Sequence, residues 1–344
     1  MIISRTPFRL SFFGGGTDYP EWHREHGGSV LATTIDKYCY LTCRYLPPFF
    51  EHRIRVVYSK IENCQTVDEV AHPSVRAVLS FLEIDRGVEV HHDGDLPARS
   101  GMGSSSAFTV GLLHSLHALQ GRMPSRRQLA TESIRIEQEI LRETVGCQDQ
   151  VVAAYGGFNH VVFEKGGGFL VRPVTVPAAR IEELSARLLL FYTGIARSSS
   201  VVADSWVPDI AGRARQLEAM GRLVDEGLSV VTTGAGLDEF GRLLDEAWRL
   251  KRSLGLGVTT PELDRLYEDA RAAGALGGKL TGAGGGGFLL LYAPLERQAG
   301  VRQALRRLLH VPFRFESSGT QIIFFDPEQD YAALESARPR PEPT

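Results

Sequence analysis

Apolar positions along the chain follow two periods, and the switches between them mark out its elements. In the first third, Ile2–Phe13, Ser29–Leu46 and Ile54–Ser59 are rich in Val, Ile, Thr, Tyr and Phe with partial alternation, the pattern of strands. Val75–Leu82 reads as a short helix and Val88–His92 as another strand. Two helices are predicted next, near Ser105–Gln120 and Arg126–Glu143. The first carries Phe108, Leu112, Leu116 and Leu119 at helical spacing; the second sets Leu129, Ile136 and Ile140 against a charged face. Gly156–Val176 reads as a hairpin turning at Lys165-Gly-Gly-Gly168.

Composition shifts over residues 177–186. A strand at Leu188–Thr193 then precedes a long helical stretch from about Ile210 to Ala273. Gly287–Tyr292 and Gln321–Phe325 are predicted strands closing the second half, with a helix near Arg297–Leu309 between them. Strands at the ends of each half with helices between predict an α+β fold. The division lies near residue 180, giving units of residues 1–180 and 181–335. The Pro-rich tail, residues 336–344, is expected to be disordered.

A length of 344 residues supports two domains with ample core, and 43% hydrophobic and 23% charged residues are ordinary for a soluble globular chain. The net charge of −3 gives no electrostatic case for nucleic acid or an anionic membrane. Cysteines 39, 43, 64 and 147 form no metal-ligand doublet, so free thiols of a cytoplasmic protein are expected. The apolar runs Leu188–Tyr192 and Phe288–Tyr292 are far too short to span a membrane. The sequence sets no oligomeric state, and a homodimer is compatible with it.

Chemistry concentrates in three glycine-rich segments. Leu96-Pro-Ala-Arg-Ser-Gly-Met-Gly-Ser-Ser-Ser-Ala107 runs from a polar loop straight into a helix. Such a helix start aims unpaired N–H groups at one point, where the dipole adds positive potential. Gly101 and Gly103 admit a ligand to the backbone, and the serines add donors or a metal ligand. The alternative is a serine N-cap after a flexible turn. A Walker A loop is absent: Ala273-Gly-Ala-Leu-Gly-Gly-Lys-Leu280 has the wrong first residue and Leu after the lysine. Ser106 stands where a Rossmann fingerprint needs Gly or Ala.

The second segment, Lys279-Leu-Thr-Gly-Ala-Gly-Gly-Gly-Gly-Phe288, leads into an apolar strand without a break. Four consecutive glycines cost about 1 kcal/mol each in regular structure, so a sharp turn packed on another backbone fits better than a linker. The third, Thr6-Pro-Phe-Arg-Leu-Ser-Phe-Phe-Gly-Gly-Gly-Thr-Asp-Tyr-Pro20, places Arg9 on a strand and Asp18 behind a glycine triplet. Asp18 can accept from sugar hydroxyls; as a bare residue it is equally a turn former, and Arg9 a surface or ion-paired residue.

Together and in this order, the three segments resemble the GHMP kinase superfamily, which includes galactokinase, homoserine kinase and mevalonate kinase. Within it, Pro7–Pro20, Thr34–Tyr38 and Tyr192–Arg197 most resemble the bacterial D-glycero-D-manno-heptose 7-phosphate kinases. Met102 replaces the usual Leu, and Gly15 and Gly16 stand where galactokinases carry Glu-His. The resemblance implies a two-domain α+β fold, with a ribosomal-protein-like N-terminal domain and a ferredoxin-like C-terminal one. It implies ATP and Mg²⁺ as cofactor and metal. Pro97, Ser100, Gly101, Met102, Gly103, Ser104, Ser105 and Ser106 would form the ATP loop. Ser105 and Glu137 would hold Mg²⁺, with Ser104 the lesser candidate and Glu132 or Glu139 the confusable carboxylates. Asp149, twelve residues beyond Glu137, would be the catalytic base beside Arg9. Gly15, Gly16 and Asp18 would bind the sugar, and Thr281, Gly282, Gly284 and Gly285 would form a supporting turn. A sugar-phosphate substrate needs a cationic pocket, for which Lys37, Arg44 and Arg197 are candidates. The implied reaction phosphorylates the anomeric hydroxyl of heptose 7-phosphate, toward nucleotide-heptose for surface polysaccharide. Alternatives are a fucokinase- or galactokinase-like enzyme, or a catalytically silent sugar and ATP sensor.

Overall fold

Two long antiparallel strands, β1 (Ile2–Phe13) and β2 (Gly28–Tyr45), organise the larger of two sheets in this computed structural model, which describes residues 1–98, 100–195, 202–326 and 331. Every residue of β1 from Thr6 to Phe13 is buried, so alternation fades there because both faces are covered. β2 takes different partners along its length. Its first residues pair with β6 (Asn159–Phe163) and Cys39–Tyr45 pair with β5 (Val88–Gly94). Beyond β5 lie β3 (Ile54–Val57), parallel to it, and β4 (Ile61–Cys64); β7 (Phe169–Pro173) closes the hairpin with β6.

Helix α3 (Ser104–Leu119) packs on β1 and β2 and is buried along most of its length from Ser106 to His117. It crosses the sheet at Gly111, where an added Cβ would lie 2.7 Å from Thr6 Oγ1. Around it stand α2 (Pro73–Phe81), α4 (Arg126–Arg135) and α5 (Gln148–Tyr155). Two further helices, α7 (Ala214–Thr232) and α8 (Asp238–Arg252), reach β1 from the second half of the chain, Phe240 sitting edge-on to Phe12 and Phe13. A smaller sheet joins β11 (Leu309–His310), β8 (Leu188–Tyr192), β10 (Phe288–Tyr292) and β9 (Gly277–Leu280); α8 packs on it, and the α9 (Pro261–Ala272) and α10 (Gln298–Ala304) pair shares an apolar cluster with it through Leu263, Tyr267 and Val301. The mixed helix-and-sheet architecture agrees with the expected α+β class.

Several elements depart from the sequence reading. Gln321–Phe325 (β13) does not close the second half: it pairs with Ile2–Arg5 at the open edge of β1, and Phe315–Glu316 (β12) pairs with β2. The predicted helix over 126–143 changes at Ile136 into a π-helical turn, Ile136–Ile140. Helices α1 (Pro20–His26) and α6 (Ala178–Ala186) form where polar composition hid them. The Gly-Gly-Lys-Leu strand β9 has poor strand propensity, yet only glycine fits at Gly277, whose added Cβ would lie 1.9 Å from the Gly241 carbonyl of α8. All four cysteines are free and buried, and no described helix is long and apolar enough to cross a membrane.

The glycine-rich turn after β9 lies backbone to backbone on the loop before α3. An added Cβ at Gly282 would lie 2.6 Å from Gly101 Cα, and one at Gly287 (φ 84°) would lie 2.1 Å from the Ser100 carbonyl oxygen. Gly166 has nearly the same φ of 79° but open space around it. Gly166→Ala should therefore cost about 1 kcal/mol, the backbone term alone. Gly287→Ala should cost about 3 kcal/mol or more in urea unfolding, since it must push two backbones apart. Equal costs would remove the seam as a structural constraint.

Candidate active site

A cavity of about 250 Å³ opens where the loop before α3, the N-terminus of α5, the glycine triplet and the glycine-rich turn converge. Gly103, at φ 71° and ψ 30°, starts α3 without a side-chain cap. The first-turn N–H groups of such a helix lack intrahelical acceptors, and Gly101, Gly103, Ser104, Ser105 and Ser106 all line the cavity.

Arg9 holds this loop to the start of α5. Its Nε donates to Asp149 Oδ1 and its Nη2 to Oδ2, both at 2.7 Å, while Nη1 donates to the Gly101 carbonyl at 2.6 Å. Arg9 is 4% exposed and the Asp149 side chain 24%, so the bidentate pair fixes the carboxylate in place while leaving it accessible. Gly103 lies against it: a Cβ there would sit 3.3 Å from Asp149 Oδ2.

Asp18 is buried, and its Oδ1 and Oδ2 accept from the Gly16 and Gln148 backbone N–H groups at 2.8 and 3.2 Å. Burial raises its carboxyl above the usual range. Asp18 thus ties the glycine triplet to the start of α5 and lines the cavity beside Gly15 and Gly16.

The π-helical turn directs Glu137 inward, to 1% exposure. Its Oε2 accepts from Ser106 Oγ at 2.8 Å and Gln150 Nε2 at 2.5 Å, and Oε1 has no partner among the described residues. Glu139 instead lies exposed beside Arg135, and Glu132 bonds His117. Glu137 does not itself line the cavity, but its orphaned buried oxygen, behind the cavity-lining Ser106, is a hard-oxygen donor of the kind that suits a divalent cation such as Mg²⁺.

Comparison with known proteins agrees with this geometry. The GHMP kinases N terminal domain model matches residues 70–157, and the GHMP kinases C terminal model matches residues 232–311. A mevalonate kinase of Pyrococcus furiosus is 30% identical over 337 residues, covering 89% of this chain and 92% of that protein. The chain is a GHMP kinase. A D-glycero-alpha-D-manno-heptose 7-phosphate kinase of Campylobacter jejuni is 27% identical over 317 residues, 89% of this chain and 93% of that one. A solved D-glycero-D-manno-heptose 1-phosphate kinase from Bacteroides thetaiotaomicron shares the fold at TM-score 0.75 and 23% identity, covering 93% of this chain and 98% of its own. This is therefore an ATP-dependent kinase.

Not every predicted residue of the kinase reaches the cavity. Pro97 is exposed, Met102 is core, and Ser100 is buried; none lines it. Their part is support: the Met102 carbonyl accepts from Arg9 N, and Ser100 carries Gly287. Ser106 lines the cavity but turns its hydroxyl to Glu137. Of the residues predicted for the supporting turn, Gly282 lines the cavity, next to Ala283, which also does; Thr281 bonds Phe288 and Gly285 bonds the Val258 carbonyl, with Gly284 packed on Val258. Lys37 bonds Asp36 and Arg44 pairs with Glu89, both away from the cavity, and Arg197 lies outside the described residues. The cavity's other cations are Lys251 and Lys279, neither of which the sequence reading assigned a role. Lys251 was visible as the one charge continuing the apolar row Phe240, Leu244, Ala247, Trp248 of α8.

Burial pushes the Glu137 carboxyl up to about 7. A carboxyl raised above its unfolded value of 4.5 holds its proton more tightly in the folded state, so stability falls as pH rises from there through 7. Without divalent cation, the uncharged Glu137→Gln kinase should gain stability over wild type, by a few kcal/mol on the scale of such shifts, between pH 5 and pH 8. Mg²⁺ should shrink that gain by favouring the carboxylate. Denaturant titrations across pH, with and without Mg²⁺, read both effects; a difference independent of pH would show that Glu137 is not held neutral.

Proposed function

We propose that this GHMP kinase transfers the γ-phosphoryl group of ATP to the anomeric hydroxyl of a heptose 7-phosphate, giving a 1,7-bisphosphate. The observation that carries the kinase chemistry is the Arg9–Asp149 pair against Gly101 and Gly103. The acceptor is supported by the end-to-end likeness to the Campylobacter jejuni enzyme; Gly15 and Gly16 line the cavity with backbone alone.

Phosphoryl transfer has a loose transition state, so positioning and charge neutralisation matter more than base strength. The loop from Gly101 to Ser106 holds the phosphates by first-turn N–H groups. Asp149 orients the acceptor hydroxyl and takes its proton late, while Arg9 fixes that carboxylate by its bidentate bonds. Asp18, Gly15 and Gly16 shape the acceptor side. Ser105 and Glu137 would hold Mg²⁺, which would supply neutralisation of the phosphate charge.

ADP release measured across heptose 7-phosphate, unphosphorylated heptose, galactose, fucose and mevalonate tests this reading. The highest kcat/KM should fall on heptose 7-phosphate, with phosphorus NMR placing the new phosphate at C1. Asp149→Asn should lower that kcat by about 10³-fold while ATP binding is retained. A preference for mevalonate or an unphosphorylated sugar would overturn the acceptor. ATP binding without turnover on any acceptor would favour a silent sensor.

A further inference from the structure

Two lysines are buried at this cavity with no carboxylate partner. Lys251 on α8 is 7% exposed and Lys279 on β9 is 4% exposed, and both line the cavity. Lys251 Nζ donates to the Leu280 carbonyl at 2.9 Å and to the Gly282 carbonyl; Lys279 Nζ donates to the Phe12 carbonyl at 3.0 Å. Among the described residues neither ammonium makes an ion pair. Of the cavity's carboxylates, Asp149 is engaged by Arg9 and Asp18 by two backbone amides, while Glu143 stands beside Glu137.

Burying an ammonium without a counter-ion is costly. A structure that places two together beside a third buried cation, Arg9, is completed by an anion that is not part of the chain. The position of Lys251 says which one. Its two carbonyl acceptors flank Thr281, and Thr281 and Gly282 lie directly on the Gly101 backbone. The Gly101 carbonyl in turn accepts from Arg9, which grips Asp149. Lys251 therefore stands where the phosphate loop meets the acceptor's carboxylate, with an ammonium proton left over after its two carbonyl bonds. Lys279 stands further toward the acceptor wall, tied to the end of β1.

We propose that Lys251 is a catalytic cation of this kinase, donating its remaining N–H to the oxygens of the γ-phosphoryl group in transit. In that step the bond from γ-phosphorus to the β–γ bridging oxygen breaks, and its electron pair leaves on ADP. The acceptor oxygen bonds the phosphorus, its proton passes to Asp149, and Lys251 stays protonated throughout. This rests on the reading of Gly101–Ser106 as the ATP loop and is independent of which acceptor is used. Burial and the Lys279 and Arg9 charges hold the Lys251 ammonium well below the usual lysine range, so an arriving anion favours its charged form.

The test compares binding of β,γ-imido ATP and of ADP, each with Mg²⁺ and without acceptor, by calorimetry. Lys251→Gln deletes the charge but keeps two N–H donors for the two carbonyls; Lys251→Met deletes both, and melting curves check that each variant folds. Lys251→Gln should weaken the imido analogue about tenfold or more, leave ADP within about twofold, and lower kcat for the best acceptor. Equal loss for both nucleotides would make Lys251 a support of the turn only. Unchanged nucleotide binding with a raised KM confined to phosphorylated acceptors would place it at the acceptor's own phosphate. Either result overturns the proposal. If wild type binds neither nucleotide, the ATP-loop reading itself fails, a result distinct from failure of Lys251 alone.

Discussion

One buried guanidinium holds the active site together. Arg9 comes from the first strand, Gly101 from the loop before α3, and Asp149 from the start of α5, and three of the arginine's N–H groups join them. A planar fork suits this task because it fixes a carboxylate in two directions and still reaches a carbonyl. At 4% exposure the charge cannot fall back on water if a partner is lost. The distance from phosphate loop to carboxylate is therefore set by one side chain, and positioning is what phosphoryl transfer mainly needs.

Around that link the backbone itself is packed. Gly101, Gly282 and Gly287 let two loops from opposite halves of the chain touch where any Cβ would intrude. Thr281 and Phe288 continue the seam into the small sheet, and Asp18 fastens the glycine triplet to the start of α5. The result is a cavity with glycine backbone fixed into its wall, whose dipoles need little reorganisation during transfer. Its buried charges differ in kind: Arg9 is paired, while Lys251 and Lys279 are solvated only by carbonyls.

Much of this was readable from the residues. The strand and helix periods located β1, β2, α3 and the hairpin, because there one face or a whole segment is apolar. The glycine run was rightly seen as a packed turn, since a free linker would not lead directly into Phe288–Tyr292. Other features depend on the third dimension. Nothing local shows that Gln321–Phe325 returns to the edge of β1, or that a π turn rotates Glu137 inward and leaves Glu139 outside. Sequence spacing could not tell Lys37 and Arg44, which found carboxylate partners, from Lys251 and Lys279, which found none among the described residues. The lysine on the apolar row of α8 was the one local sign of the latter.

The central claim is that Arg9 and Asp149 act as a single unit, and a double-mutant cycle on kcat tests it most directly. Arg9→Met, Asp149→Asn and the double variant are compared in single-turnover transfer with saturating ATP. If the two act together, the double variant falls within about threefold of the Asp149→Asn kinase, far short of the product of the single effects. Losses that multiply would mean that Arg9 and Asp149 contribute separately, contradicting the account.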